Sequence, residues 1–483
     1  MISFPDTVTG LTDGEQRLYR FLLARLRRKH ARNRLRSTYY DGRNRLKDIG
    51  YALPAIAKDV SVVVGWPEKA VEGLANRVRL DGFAADDGSQ LTDLADRIID
   101  LNDLAGLAQS VHTDAFVHSC SFVAVHPGDT AAGDPDAIIQ EYTADTATGI
   151  WDKRRRRLGA ALLFDTSDDY RHVTGATLMD YEHTVTIERD ERGWHASDRW
   201  EDGSGRIPCE LFAFKPDSKR PFGRSRISRT VMSLTDSAVR TFLRGEIQAE
   251  LYSVPARYFI GVSEDMFTDD NGDPIPQWKI TLDHVLALPP NQQTQQNPTV
   301  GQFSQASFEP HIAQLRQTAT MFASATSLPP DAMGVLTDNP SSAEAIDKAN
   351  KELCLLAEEC HTWFARPWEH VLERAQRFAG TDGDAQAIHP QWRNPSTPSK
   401  AAAADLALKL VQGGILPADS EVTYDLLDLT DQQRRTLRAE ARRKRAQQAI
   451  DQLRATNTQH TQEGDPNEPA TTTEPTGGTP TTA

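Results

Sequence analysis

At 483 residues the chain exceeds one ordinary compact domain, and about two to four sub-domains are expected. Its 39% hydrophobic and 25% charged residues describe a soluble globular protein with enough apolar surface for a core. Its longest apolar runs, such as 60–65 and 158–164, fall far short of the roughly 20 residues a membrane span needs. The formal net charge of −14 argues against a repressor or nuclease that grips DNA, since phosphate neutralisation supplies most of the affinity of such proteins, but does not exclude a protein that lets DNA slide past.

Met1–Gly10 has no basic stretch followed by an apolar segment, so no signal peptide is expected and the protein should stay in the cytoplasm where it is made. The first predicted helix covers Asp13–Arg36, and nine Lys/Arg residues crowd Arg17–Arg36, as either a solvated basic face or a contact to DNA or an acidic neighbour. Trp66-Pro67 opens a second helix with Ala70, Val71, Leu74 and Ala75 as its stripe. A third is predicted over Leu91–Val117. Between Ser121 and Phe214 the pattern turns to short strands, predicted at Phe122–Val125, Ile138–Tyr142, Ala160–Phe164, Thr184–Glu188 and Glu210–Phe214, as in an antiparallel meander. Lys153–Arg157 reads as an exposed turn between two of them.

A long amphipathic helix follows, with Ile227, Val231, Leu234, Ala238, Phe242, Ile247 and Leu251 on its apolar side. A β-rich insert comes next: a strand over Ala256–Val262, a turn at Asn271-Gly272, a strand over Val285–Leu288 and a polar loop over Pro289–Pro298. Helix returns at Glu309–Ala325 and stops at Leu328-Pro329-Pro330. Ser341 and Glu344 form a capping-box pattern, after which Ile346, Leu353, Ala357, Cys360, Phe364, Trp368, Val371, Ala375 and Phe378 trace one face for about ten turns. Pro367 falls inside this run and is expected to kink it. Ser399–Val411 and Asp431–Leu453 read as further helices around a Gly413-Gly414 break, and the Thr/Pro/Gly/Glu-rich stretch from about Ala455 reads as disordered.

No constellation for catalysis, cofactor or metal emerges. The chain has no GxxxxGK[ST] phosphate loop, GxSxG elbow or HExxH pair. Asp269–Asp273 lacks the alternating ligands and distal Glu of a calcium loop and reads as a hairpin turn. Cys120, Cys209, Cys354 and Cys360 have no CxxC spacing and read as buried thiols; His112, His118, His361 and His370 read as surface or satisfied core histidines.

The order of elements and several local segments together carry a resemblance. Pro221-Phe222-Gly223-Arg224-Ser225-Arg226-Ile227 resembles the G-x-S-x-I entry to the first long helix of portal proteins from siphoviruses of Gram-positive, especially actinobacterial, hosts. Ala249–Tyr258 resembles the exit from that helix, and Ser327–Pro330, Met333-Gly334 and Asp338–Ile346 resemble the family's most recognisable segment. The likeness continues through Trp392–Pro395, Lys400 and Lys409 and covers about residues 15–440.

The resemblance implies an α+β portal-protein fold with a β-rich wing, long stem helices, a small β-containing clip, a long kinked helix and a helical crown. By similarity these fall at 1–224 (wing), 225–252 and 308–327 (stem), 253–307 (clip), 328–342 (tunnel loop), 343–380 (kinked helix) and 381–454 (crown), followed by a disordered tail over 455–483. It also implies a homo-oligomeric ring of about twelve subunits at one capsid vertex of the virion, closed by heterologous contacts. Double-stranded DNA would pass through the ring, and the partners would be the terminase large subunit, a head-completion or adaptor protein, and the major capsid and scaffold proteins. Thr337, Asp338, Asn339 and Ser341 would lie in the tunnel loop that narrows the channel. Lys348 and Lys351, one turn beyond it, read either as weak phosphate contacts or as partners of neighbours such as Asp347 and Glu352, and Pro367 as the kink. The loop itself has no Lys or Arg, so phosphate contact within it is not expected. A minor capsid or head-maturation protein without a channel is the competing reading.

Overall fold

The computed structural model describes residues 2–44, 62–87, 89–201, 204–252, 257–261, 297, 299–302, 307–334, 343–380, 385–396, 400–427, 429 and 431–460. The chain forms two units, Met1–Ser396 and Thr397–Ala483.

In the first unit, helix α1 (Asp13–Tyr40) starts where Thr12 and Glu15 form a reciprocal capping box, and it runs one turn beyond the predicted end. Tyr19, Leu22, Leu23 and Leu26 on its apolar face are buried against a five-stranded antiparallel sheet, β4-β5-β6-β7-β8. These strands are β4 (Ala147–Asp152), β5 (Arg157–Thr166), β6 (Val173–Met179), β7 (Thr184–Asp190) and β8 (Gly193–Trp200). A second sheet, β3-β2-β9, is built from β2 (Cys120–Pro127), β3 (Ala137–Thr143) and β9 (Cys209–Ala213). The predicted meander is therefore two sheets, with strands at β4, β6 and β8 that the pattern did not mark. β8 is half-exposed or exposed along its length, so no apolar alternation announces it.

The helix predicted over Leu91–Val117 is two helices, α3 (Asp93–Leu101) and α4 (Leu104–His118). Asn102 and Asp103 make the break. The Asn102 side chain donates to the carbonyls of Ile98 and Ala137 and accepts from the Ile139 amide, while Asp103, at φ 42°, caps α4 by accepting from Gly106 N–H. Helix α2 (Trp66–Ala75) carries Pro67 in its first turn as expected.

α5 (Arg229–Tyr252) packs against α6 (Glu309–Thr326), and between them β10 (Arg257–Ile260) pairs antiparallel with β11 (Thr299–Gln302). The predicted Asn271-Gly272 turn, the strand Val285–Leu288 and, apart from Asn297, the loop Pro289–Pro298 lie outside the described residues.

α7 (Ala343–Phe378) is the spine of the first unit. Leu353, Ala357, Cys360, Phe364, Trp368, Val371 and Ala375 are fully buried, and the helix packs on β2, β3 and β9. It continues through Pro367, whose missing N–H leaves the Trp363 carbonyl without its usual helical donor. The core also takes in an unpredicted pair, β1 (Leu80–Ala85) with β12 (Ile388–Trp392), so the first unit extends past the long helix to Ser396.

The second unit contains α8 (Lys400–Gln412), a break at Gly414 (φ 68°), a short unpredicted helix α9 (Glu421–Leu426) and α10 (Asp431–His460), which outruns its predicted end. Residues 461–483 lie outside the described residues.

Candidate functional site

The segment Pro221–Ile227 sits where several elements of the first unit converge. Gly223 has φ 66°, and a Cβ there would collide with the carbonyl oxygens of Phe214 and Ser119, so both conformation and space demand glycine. The Ser225 hydroxyl lies 2.5 Å from the Val117 carbonyl, to which it donates, and accepts from the Ile227 amide at 3.0 Å. Ile227 is buried in the main core. Arg226 is also buried, and its guanidinium donates to the carbonyl of Ala70 in α2 and, at 2.7 Å, to that of Thr326, the last residue of α6. A cation there meets the negative end of the helix dipole. Burial pushes its pKa down to about 10. The residues needed at alternate positions of the segment are thus those that join the entry of α5 to α2, α4 and α6.

Behind this junction stands an aromatic wall. His112 Nε2 accepts from the Trp368 indole at 3.0 Å, and its ring stacks on Phe364 with centroids 4.6 Å apart and planes 6° from parallel. Trp392 lies beside it, stacked in turn on His361 at 4.6 Å. Burial lowers the His112 pKa to about 3 and that of His361 to about 4, so both rings are neutral near pH 7. Burial likewise lowers His118 to about 4. His112, His361 and Trp392 therefore belong to the core. Cys120, Cys209 and Cys360 are buried thiols, and Cys354 is a half-buried one.

The other predicted positions are less connected. Thr337, Asp338, Asn339 and Ser341 lie outside the described residues, as does Asp269–Asp273. The described part of the loop has Leu328 in the core and a short 3-10 turn over Pro330–Met333. Lys348 and Lys351 are exposed on α7, while Pro367 is half-buried between Phe364 and Trp368 on the same helix. The basic run Lys153–Arg157 covers a hairpin turn over 153–156 and the first residue of β5; Asp152 accepts from the Arg154 and Arg155 amides, and Arg155 lies 4.6 Å over the Tyr181 ring. Among the described residues no group of three or more His, Cys, Asp or Glu is placed to hold a metal ion, and no helix is long and apolar enough to cross a membrane. The structure also brings together what sequence order keeps apart: the basic face of α1 and the loop 219–229 enclose a cleft.

Residues 19–449 match the family model described as phage portal protein, SPP1 Gp6-like. The chain belongs to that family. Curated relatives in this portal family include the portal protein of Mycobacterium phage L5, 28% identical over 385 residues that cover 78% of each chain. The portal protein of Mycobacterium phage D29 is 27% identical over 413 residues, covering 83% of this chain and 84% of that one. Among solved structures, a chain in the neck of an empty gene transfer agent particle aligns over 76% of this chain and 90% of its own, at 13% identity and TM-score 0.43. A chain from the neck of a native particle aligns over 75% and 89%, at 12% identity and TM-score 0.44. The family is one of structural proteins of the phage particle.

Proposed function

We propose that the chain is the subunit of a portal ring of about twelve copies at one capsid vertex, closed by heterologous contacts, through which double-stranded DNA is packaged and ejected. The family match across residues 19–449 carries this reading. The α5–α6 pair serves as the stem and the β10–β11 pair as the base of the clip, which faces the terminase large subunit during packaging and the head-completion or adaptor protein afterwards. α1 to β9 form the wing, with its rim toward the major capsid and scaffold proteins, and α7 spans wing to crown. The crown follows α7 over 381–454.

Thr337, Asp338, Asn339 and Ser341 form the tunnel loop, and exposed Lys348 and Lys351 just beyond it make weak, salt-sensitive phosphate contacts. The acidic balance of the chain keeps DNA from binding tightly and stalling. Pro367 sets the bend that carries α7 from wing to crown. Negative-stain imaging of the purified protein tests the reading. Rings with an open centre are expected; particles without a central hole would instead fit a minor capsid or head-maturation protein.

A further inference from the structure

Arg25, Lys29, Arg32 and Arg36 recur along α1 at intervals of four, three and four residues and so share one face. That face is one wall of a cleft of about 640 Å³, and the loop 219–229 is the other. Eight of the lining residues are Lys or Arg and none is Asp or Glu. Arg224 pairs with Asp217, but none of the four helix cations has an ion pair among the described residues. They are nonetheless held in place: Arg25 lies 4.5 Å over the Phe222 ring, and Arg36 donates to the His118 carbonyl at 2.7 Å. Burial, then repulsion from Arg32, Arg25, Arg28 and Arg36, lowers the pKa of Lys29. Within one subunit no ion pair among the described residues offsets this crowding.

A matching surface exists on the same chain. On α3, Asp93, Asp96 and Asp100 are exposed on one face while Ala95 and Ile98 are buried on the other. None of the three carboxylates has an ion pair among the described residues. Asp93 and Asp96 favour the positive end of the helix, but Asp100 in its last turn opposes the dipole, so helix stability does not account for the stripe. From Asp93 to Asp100 is seven residues, as is Arg25 to Arg32, roughly 10 Å of helix in each case.

We propose that the cleft and α3 are the two halves of a contact between copies of this chain: the acidic face of α3 of one copy, Asp93, Asp96 and Asp100, seats against Arg25, Lys29, Arg32 and Arg36 of the next. The inference rests on the ring reading above. A heterologous contact mates two different surfaces, and here one is purely basic and the other an acidic stripe of matching length. A concave cleft also admits side chains that project from a helix more readily than the convex flank of a duplex.

Charge exchange tests it on the full chain, with ring content read by mass photometry. Lys29→Glu with Arg32→Glu should raise the concentration for half-assembly by at least about tenfold, and so should Asp96→Arg with Asp100→Arg. Combining all four changes in one chain, or mixing the two double variants so that they alternate, should restore rings. Circular dichroism and thermal unfolding confirm that each variant folds, and Lys29→Gln with Arg32→Gln provides a milder second reading. If wild-type protein forms no ring, the portal reading fails. If wild-type rings form and the exchange neither disrupts nor rescues them, this contact alone is wrong. If cleft reversal leaves assembly intact but abolishes salt-sensitive binding of a short DNA duplex, the cleft is a phosphate site and the proposal is overturned.

Discussion

Arg224 and Arg226 are two residues apart on one loop, yet they face two different worlds. Arg226 points into the dry junction and donates to carbonyls at Ala70 and Thr326, with Gly223, Ser225 and Ile227 fixed around it. Arg224 points into the open cleft, where Asp217 is its ion-pair partner, while none of the four cations of α1 across the gap has an ion pair among the described residues. On the junction side the Ser225 hydroxyl and the Arg226 guanidinium are matched within the subunit, so that side can specify the fold of a single chain. On the cleft side, among the described residues, the four α1 cations have no ion pair within the subunit. A surface of that kind adds nothing to monomer stability and much to the choice of partner.

Four experiments probe that contrast. Gly223→Ala should be the most damaging, because the new methyl meets two backbone carbonyls and the backbone is left-handed. A loss of about 4 kcal/mol or failure to fold is expected in chemical denaturation. Arg226→Leu should cost about 2 kcal/mol by leaving the Thr326 carbonyl without its donor, measured the same way; an unchanged midpoint would show that the clamp is dispensable.

The aromatic wall predicts a pH dependence. Folding depresses the His112 pKa to about 3, so its contribution is fully present above the unfolded value near 6.5. It is lost as pH falls toward 3, because the unfolded chain takes up a proton that the folded one refuses. Unfolding free energy should drop by about 1.4 kcal/mol per pH unit from this group within that window, and His112→Phe should flatten the slope. The smallest effect has the opposite sign. Lys29→Gln relieves repulsion on α1 and should leave the monomer unchanged or more stable by up to about 0.5 kcal/mol, and a clear loss would mean that the cation has a partner within the subunit.

Much of the junction was legible in the sequence, since the G-x-S-x-I pattern marks its place and the apolar face of Leu353–Ala375 announces the long helix around which it is built. Which arginine of the motif is buried was not legible, because Arg224 and Arg226 differ only in what folds against them. The break at Asn102-Asp103 escaped notice because apolar periodicity continues across it, while its cause is a side chain satisfied by Ala137 and Ile139 from another element. Polar β8 carries no alternation to read. The cleft was hidden most completely. A basic run on α1 is visible, but its meaning depends on the loop 219–229, nearly two hundred residues away, closing over one of its faces.

The central claim is that the junction belongs to the monomer and the cleft to a portal ring. Native mass spectrometry across a salt series tests both parts at once. A discrete species of about twelve 53.5 kDa subunits should form at low ionic strength and shed folded subunits as salt rises. A folded monomer at every concentration and salt, even with scaffold protein present, would contradict the account.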